Sequence, residues 1–330
     1  MMIAVDAAGG DYAPYEVVKG AIKASQEYEV DIALVGKRNI LHVLTSSFRK
    51  PGFTIVDAEE VIGFQESPMQ AVRSKPKSSI VVGTNLVRDG IASAFVSAGN
   101  SGAVVVAALL NLEKIVGIPR PAIGSIINIT PRTPSFLIDA GANVDCRPEH
   151  LVWFAHLGDL YVNHILGIES PRVGLLCNGG EEGKGTKLIR ESYKLLKKTK
   201  LNFIGNIEGQ DILKRAAEVI VTDGFTGNIV LKTIEGMSDT WLYSLVHAGQ
   251  IFAKAYRLPL QALHRDIGMK SWAKRLDYQE YGGACLLGTN GNIIMAHGRS
   301  RSKAIKNAIG LAKKTAERDL CGIIKNKNLG

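Results

Sequence analysis

Short apolar runs alternate along the chain with stretches in which apolar residues recur every three or four positions. That alternation predicts βα units around a largely parallel sheet with helices on its faces. Strands are predicted at 3–5, 31–35, 53–57, 91–97, 122–128, 135–139, 172–177 and 219–222. Helices are predicted at 15–26, 103–116, 149–166, 187–198 and 302–319. Past Asn228 the texture changes. Two helices, 229–256 and 260–276, are predicted on either side of Pro259, which breaks a regular helix. A Gly-rich stretch at 281–298 follows. With no repeat, low-complexity tract or clean boundary, the chain reads as one domain over 1–330, with a helical hairpin inserted at 237–276.

Composition narrows the class. A chain of 330 residues with 46% hydrophobic positions can bury a large core, and 22% charged residues is too ordinary for disorder. Cys146, Cys177, Cys285 and Cys321 are widely spaced and form no C-x-x-C pair, which fits a reducing compartment and argues against zinc or a disulfide framework. The start carries no secretory pattern, and no apolar run approaches the roughly 20 residues of a membrane span. A cytoplasmic protein is expected. The net charge of +9 favours an acidic partner.

The candidate chemistry lies in four loops that each follow an apolar strand. They are Asp6-Ala7-Ala8-Gly9-Gly10-Asp11, Ser97-Ala98-Gly99-Asn100-Ser101-Gly102, Asp139-Ala140-Gly141-Ala142-Asn143 and Asp223-Gly224-Phe225-Thr226-Gly227-Asn228. Ligands of open α/β sheets bind outside the carboxyl ends of strands, where glycines let N–H groups approach an anion and a following helix adds its positive end. Four such turns along one edge predict a phosphate-handling cleft. Neither nucleotide fingerprint fits: Gly9-Gly10 lacks the G-x-G-x-x-G spacing. In Gly179-Gly180-Glu181-Glu182-Gly183-Lys184-Gly185-Thr186 the Walker spacing is missing and Gly185 stands where Ser or Thr should follow Lys184. No cofactor and no metal is expected. Gly99-Asn100-Ser101-Gly102-Ala103 also reads as an elbow that could expose a nucleophilic serine, which would need a base. Among seven histidines, His297, in a Gly-rich loop, is the best candidate.

These blocks, together with Phe203-Ile204-Gly205-Asn206-Ile207-Glu208-Gly209, Tyr281-Gly282-Gly283-Ala284 and Ala296-His297-Gly298, resemble in order those of the PlsX-type phosphate acyltransferases of bacterial phospholipid synthesis. The likeness runs from Ile3 to about Ile309. Ala8 and Ser101 replace a usual Met and Thr, and Cys285 a usual Pro. Cys177 and Gly180 also depart from the pattern. The resemblance implies a three-layer α/β/α sandwich similar to isocitrate and isopropylmalate dehydrogenases, with a helical hairpin projection, and a homodimer. It also implies transfer of a fatty acyl group from acyl-[acyl carrier protein] to inorganic phosphate. A phosphotransacetylase-like enzyme using acyl-CoA and a serine acyl-hydrolase at Ser101 remain as alternatives.

On that resemblance, Asn100, Ser101 and Gly102 bind phosphate or the thioester oxyanion, with Gly9, Gly10, Asp11 and Gly99 beside them. Lys184 neutralises phosphate charge, and Glu182 and Gly185 of the same loop bind substrate. Asn143 and Asn228 orient substrate, with Gly224 and Gly227 shaping their loop. Asp6, Asp139 and Asp223 fix loops by accepting N–H bonds, because bare carboxylates would repel phosphate. The acidic carrier gives the positive charge a partner, with one candidate face on 187–198 and another at Arg299, Arg301, Lys303 and Lys306. An apolar tip flanked by cations at 251–264 predicts peripheral contact with an anionic membrane. Few aromatics and no recognised motif argue against nucleic acid.

Overall fold

The computed structural model describes residues 1–46, 48, 53–127, 134–255 and 282–327, the side chains at 239, 241–243 and 245–255 excepted. Their strands form a single eleven-stranded sheet. In chain order the strands are β1 Met2–Asp6, β2 Asp31–Gly36, β3 Phe53–Asp57, β4 Ala94–Ser97, β5 Ala122–Ile127, β6 Ser135–Ile138, β7 Val173–Leu176, β8 Phe203–Ile207, β9 Val219–Val221, β10 Ala284–Leu287 and β11 Asn292–Met295. Their spatial order is β3-β2-β1-β4-β11-β10-β5-β6-β9-β7-β8.

The period of two sorts side chains to opposite faces. Ile3, Val5, Ala94, Val96, Phe136 and Ile138 enter one core. Ala4, Phe95 and Leu137 enter the other. The first face is covered by α1 (Tyr15–Tyr28), α2 (Arg38–Thr45), α6 (Pro148–Tyr161, continued by a π-helical turn at Val162–Leu166) and α7 (Lys187–Leu196), with α10 (Ser302–Glu317) and α11 (Leu320–Asn326). The second is covered by α3 (Pro68–Ser74), α4 (Ser79–Arg88), α5 (Ser101–Asn111), α8 (Gly209–Lys214) and α9 (Gly224–Ala255). This is an α/β fold with helices on both faces of a mixed sheet.

Among the described residues the sheet is largely parallel, with seven parallel pairings among the ten between its strands, and its three antiparallel pairings sit together at the centre. β10 lies antiparallel to β11 and to β5, and β5 antiparallel to β6. The Gly-rich stretch therefore holds two central strands. Four residues each, β10 between Gly283 and Gly288 and β11 after Gly291, are too short to show a period. On β10 the Cys285 thiol is 3.7 Å from the Tyr161 hydroxyl, and burial pushes it up to about 12. The predicted helix at 229–256 starts a turn earlier, as α9. The second arm at 260–276 and most of the 251–264 contact lie outside the described residues. Among the described residues, no helix is long and apolar enough to cross a membrane.

Candidate functional site

The antiparallel pairs divide the strands into two sets. β1 to β4, with β11 and β5, send their carboxyl ends to one edge of the sheet. β6 to β9 send theirs to the opposite edge. The loops after Asp6 and Ser97 therefore share an edge, and those after Asp139 and Asp223 share the other. The expectation of a single four-loop edge is corrected. Strand direction is set by non-local pairing, which an apolar run does not encode.

At the first edge a buried carboxylate organises two loops. Asp6 Oδ1 accepts the N–H groups of Ala8 and Gly9, both at 3.0 Å, and Oδ2 accepts the Ser97 hydroxyl at 2.7 Å. Burial pushes the Asp6 carboxyl above its ordinary value, against the hydrogen bonds from Ser97, Ser79 and the loop. A Cβ on Gly9 would stand 2.7 Å from the Gly99 nitrogen, so only glycine lets these two loops meet. Asp11 N–H donates to Gly298 O at 2.8 Å, and Ala296 N–H to Ser97 O at 2.8 Å, which ties the His297 loop to both.

Asn100 caps α5: its Oδ1 accepts from Ala103 N–H at 3.1 Å, while Nδ2 donates towards the carbonyls of Gly63, Phe64 and Glu66. Its side chain is thus engaged with protein at both ends. Ser101 and Gly102 differ. Ser101 is exposed, and among the described residues neither N–H has an acceptor. Two free donors and a hydroxyl stand at the positive end of an 11-residue helix, a setting that favours negative charge.

The second edge has a similar carboxylate in a tighter setting. Asp139 Oδ1 accepts from Ile123, Gly141 and Ala142 N–H; Oδ2 accepts the N–H (2.7 Å) and side-chain Nδ2 (2.8 Å) of Asn143. Burial raises its carboxyl as well. Asn143 Nδ2 also donates to Pro121 O at 2.8 Å, and Gly224 N–H to Asn143 O at 2.7 Å. Asp223 caps α9 by accepting the N–H and hydroxyl of Thr226 at 2.9 and 2.8 Å. Gly227 lies against the Asp139 carbonyl, and Asn228 packs over Gly141. In the loop after β7, Lys184 is exposed, Gly185 takes φ +90° against Ile189 and Cys177, and Glu182 pairs with Lys197 at 3.1 Å. From β4 to β7 is six strand spacings, about 29 Å at roughly 4.8 Å each. Lys184 and Ser101 of one chain therefore do not share a phosphate, a second correction.

Helix α9 joins the edges. It begins at the Asp223 loop, and eight residues on, about 12 Å of rise, Lys232 Nζ reaches His297 Nε2 at 2.9 Å. Glu235 Oε2 is 2.7 Å from Lys232 Nζ and 3.5 Å from His297 Nε2. Burial would raise the Glu235 carboxyl, but the His297 and Lys232 bonds outweigh it and hold it below its ordinary value. Arg299 N–H points at His297 Nδ1 at 3.1 Å.

Residues 1–323 match the family described as "Fatty acid synthesis protein". The phosphate acyltransferase of Dehalococcoides mccartyi is 55% identical over 98% of this chain and 93% of its own. That of Pelotomaculum thermopropionicum is 46% identical over 99% and 94%. The chain belongs to the phosphate acyltransferase family. It is a transferase, and the group moved to phosphate is an acyl group. Among solved structures, a phosphotransacetylase from Streptococcus pyogenes shares the fold with TM-score 0.64, at 16% identity over 96% of this chain and 94% of that one. In this phosphate acyltransferase chain, the reading by motif reached His297 but missed its partners Lys232 and Glu235. Their spacing from Asn228, four and seven residues along one helix, was the available signal. Ser97, which anchors Asp6, gives no sign of that role in the sequence beyond its place at the head of the Gly99–Gly102 loop.

Proposed function

We propose that the first edge is where a fatty acyl group passes from acyl-[acyl carrier protein] to inorganic phosphate, giving an acyl phosphate for phospholipid synthesis. The observation that carries this reading is the pair of acceptor-free N–H groups at Ser101 and Gly102, one strand spacing from the His297 loop. Inorganic phosphate is already an anionic nucleophile, so the site has to orient it and offset its charge. The Ser101 hydroxyl and the two N–H groups hold phosphate or the thioester oxyanion. Asp6, Gly9, Gly10 and Gly99 keep those donors in place, and Asn100 does so as the cap. Asn228 acts from α9, on the face that carries Lys232. The leaving thiol, with a pKa of roughly 8.5, departs without an obligatory acid.

The fold on this reading is the isocitrate/isopropylmalate dehydrogenase-like sandwich, and the assembly is a homodimer that touches an anionic membrane peripherally through 251–264. The net charge of +9 suits the acidic carrier. Both candidate faces carry cations already paired within the chain, Lys306 with Glu27 at 2.8 Å on one and Lys197 with Glu182 at 3.1 Å on the other. The test is phosphate-dependent release of carrier thiol from acyl-carrier protein, compared with acyl-CoA. Release from the carrier alone supports the proposal. Equal or faster release from acyl-CoA moves the reading to a phosphotransacetylase-like enzyme, and release without phosphate moves it to a hydrolase.

A further inference from the structure

The first edge lacks an assigned cation, because Lys184 leaves the sheet at the other edge. Helix α9 supplies one. Lys232 is half exposed, and its ammonium stands beside His297, whose loop is bonded to the Ser97 and Asp11 loops. An ammonium has three N–H donors. One meets Glu235 Oε2 at 2.7 Å and one direction is taken by the His297 ring at 2.9 Å. Among the described residues the third has no acceptor and is open to a ligand. Glu235 is mostly buried, with its side chain 12% exposed, so it is a fixed anchor for a flexible lysine.

Resting on the phosphate-transfer reading above, we propose that Lys232 is a phosphate-binding residue of this site and Glu235 a positioning residue that holds its ammonium towards the Gly99–Gly102 loop. Because Glu235 offsets the lysine's charge, Lys232 contributes a directed donor more than a bare field. The free N–H groups of Ser101 and Gly102 supply the helix-end potential. Asn228, one turn earlier on the same face, flanks the same ligand.

The experiment measures steady-state thiol release with phosphate and acyl-carrier protein varied separately, for wild type, Lys232→Met, Lys232→Arg and Glu235→Gln. Circular dichroism confirms that each is folded. Losing one charge-assisted bond to phosphate should raise the phosphate KM of Lys232→Met about tenfold, with the carrier-protein KM unchanged. Lys232→Arg should recover part of that loss, and Glu235→Gln should raise phosphate KM by less than Lys232→Met does. A folded Lys232→Met chain with the wild-type phosphate KM overturns the proposal, as does an equal rise in both KM values. Should Lys232→Met not fold, stabilisation of Lys232→Gln and wild type by inorganic phosphate in thermal unfolding decides: equal shifts overturn it, a smaller shift in the variant supports it. Absence of phosphate-dependent release by the wild type would instead refute the underlying reading, so the two failures are distinguishable.

Discussion

The Asp6 and Asp139 loops are built on one plan and put to different uses. Each places a buried carboxylate at a strand end, each carboxylate accepts the N–H groups of its own loop, and burial raises both. Around Asp139 the Asn143 amide is engaged twice and Gly224 closes onto the Asn143 carbonyl, with the Thr222 hydroxyl left without a partner among the described residues. Around Asp6 the neighbouring loop ends in a helix start whose Ser101 and Gly102 donors have no protein acceptor among the described residues. The two motifs share their carboxylate, and what sets the first apart is the pair of unmatched helix-end donors beside it.

Substitutions can break or sharpen that contrast. The largest effect is expected at Gly227, where a Cβ would collide with the Asp139 carbonyl and stand 3.0 Å from its carbon. Gly227→Ala should cost about 3 kcal/mol in urea unfolding, because the second edge is a packed latch. Next comes the pair Ser101→Ala and Asn143→Ala. The first should lower phosphate-dependent turnover about tenfold with little change in melting temperature. The second should lose about 2 kcal/mol of stability by removing the Nδ2 donor shared by Asp139 Oδ2 and the Pro121 carbonyl. A reversed pattern would show that the open edge had been assigned to the wrong loop.

Smaller effects should appear in pH dependence, with opposite signs. Asp6 has its folded pKa raised above 3.8, so the folded chain takes up that proton before the unfolded chain does. Wild type should therefore gain stability relative to Asp6→Asn as pH falls through the folded value towards 3.8. Glu235 is held below 4.5, so its contribution is full above 4.5 and lost as pH falls through the lower folded value. The stability gap between wild type and Glu235→Gln should be flat from neutral pH to 4.5 and narrow only below it. Denaturant midpoints followed against pH test both slopes. Gaps that move in the same direction would mean that the two carboxylates are not in the contrasting settings described.

Much of this molecule was legible in its sequence. Strong apolar runs marked β1, β2, β3 and β7 within a residue or so, and helical periods marked α1, α7 and α10. The Asp/Gly/Asn loops were legible as loops at strand ends, and the role of Asp6, Asp139 and Asp223 as acceptors for loop donors followed from charge alone. Other elements were not: α3, α8, β10 and β11 are too short to show a period, and α4 and β8, as long as α7 and β1, are interrupted by Gly83 and Gly205.

What local sequence determined, then, was the composition of each loop and its place after a strand, because those depend on neighbouring residues. Only the tertiary structure decided which loops face the same way. Hydrogen-bonded pairing with strands far along the chain turns β6, β7 and β9 against β1 and β4. The same packing brings Lys232 to His297 across 65 positions of sequence. An apolar run carries no arrow, and a lysine on a helix carries no record of the histidine it will meet.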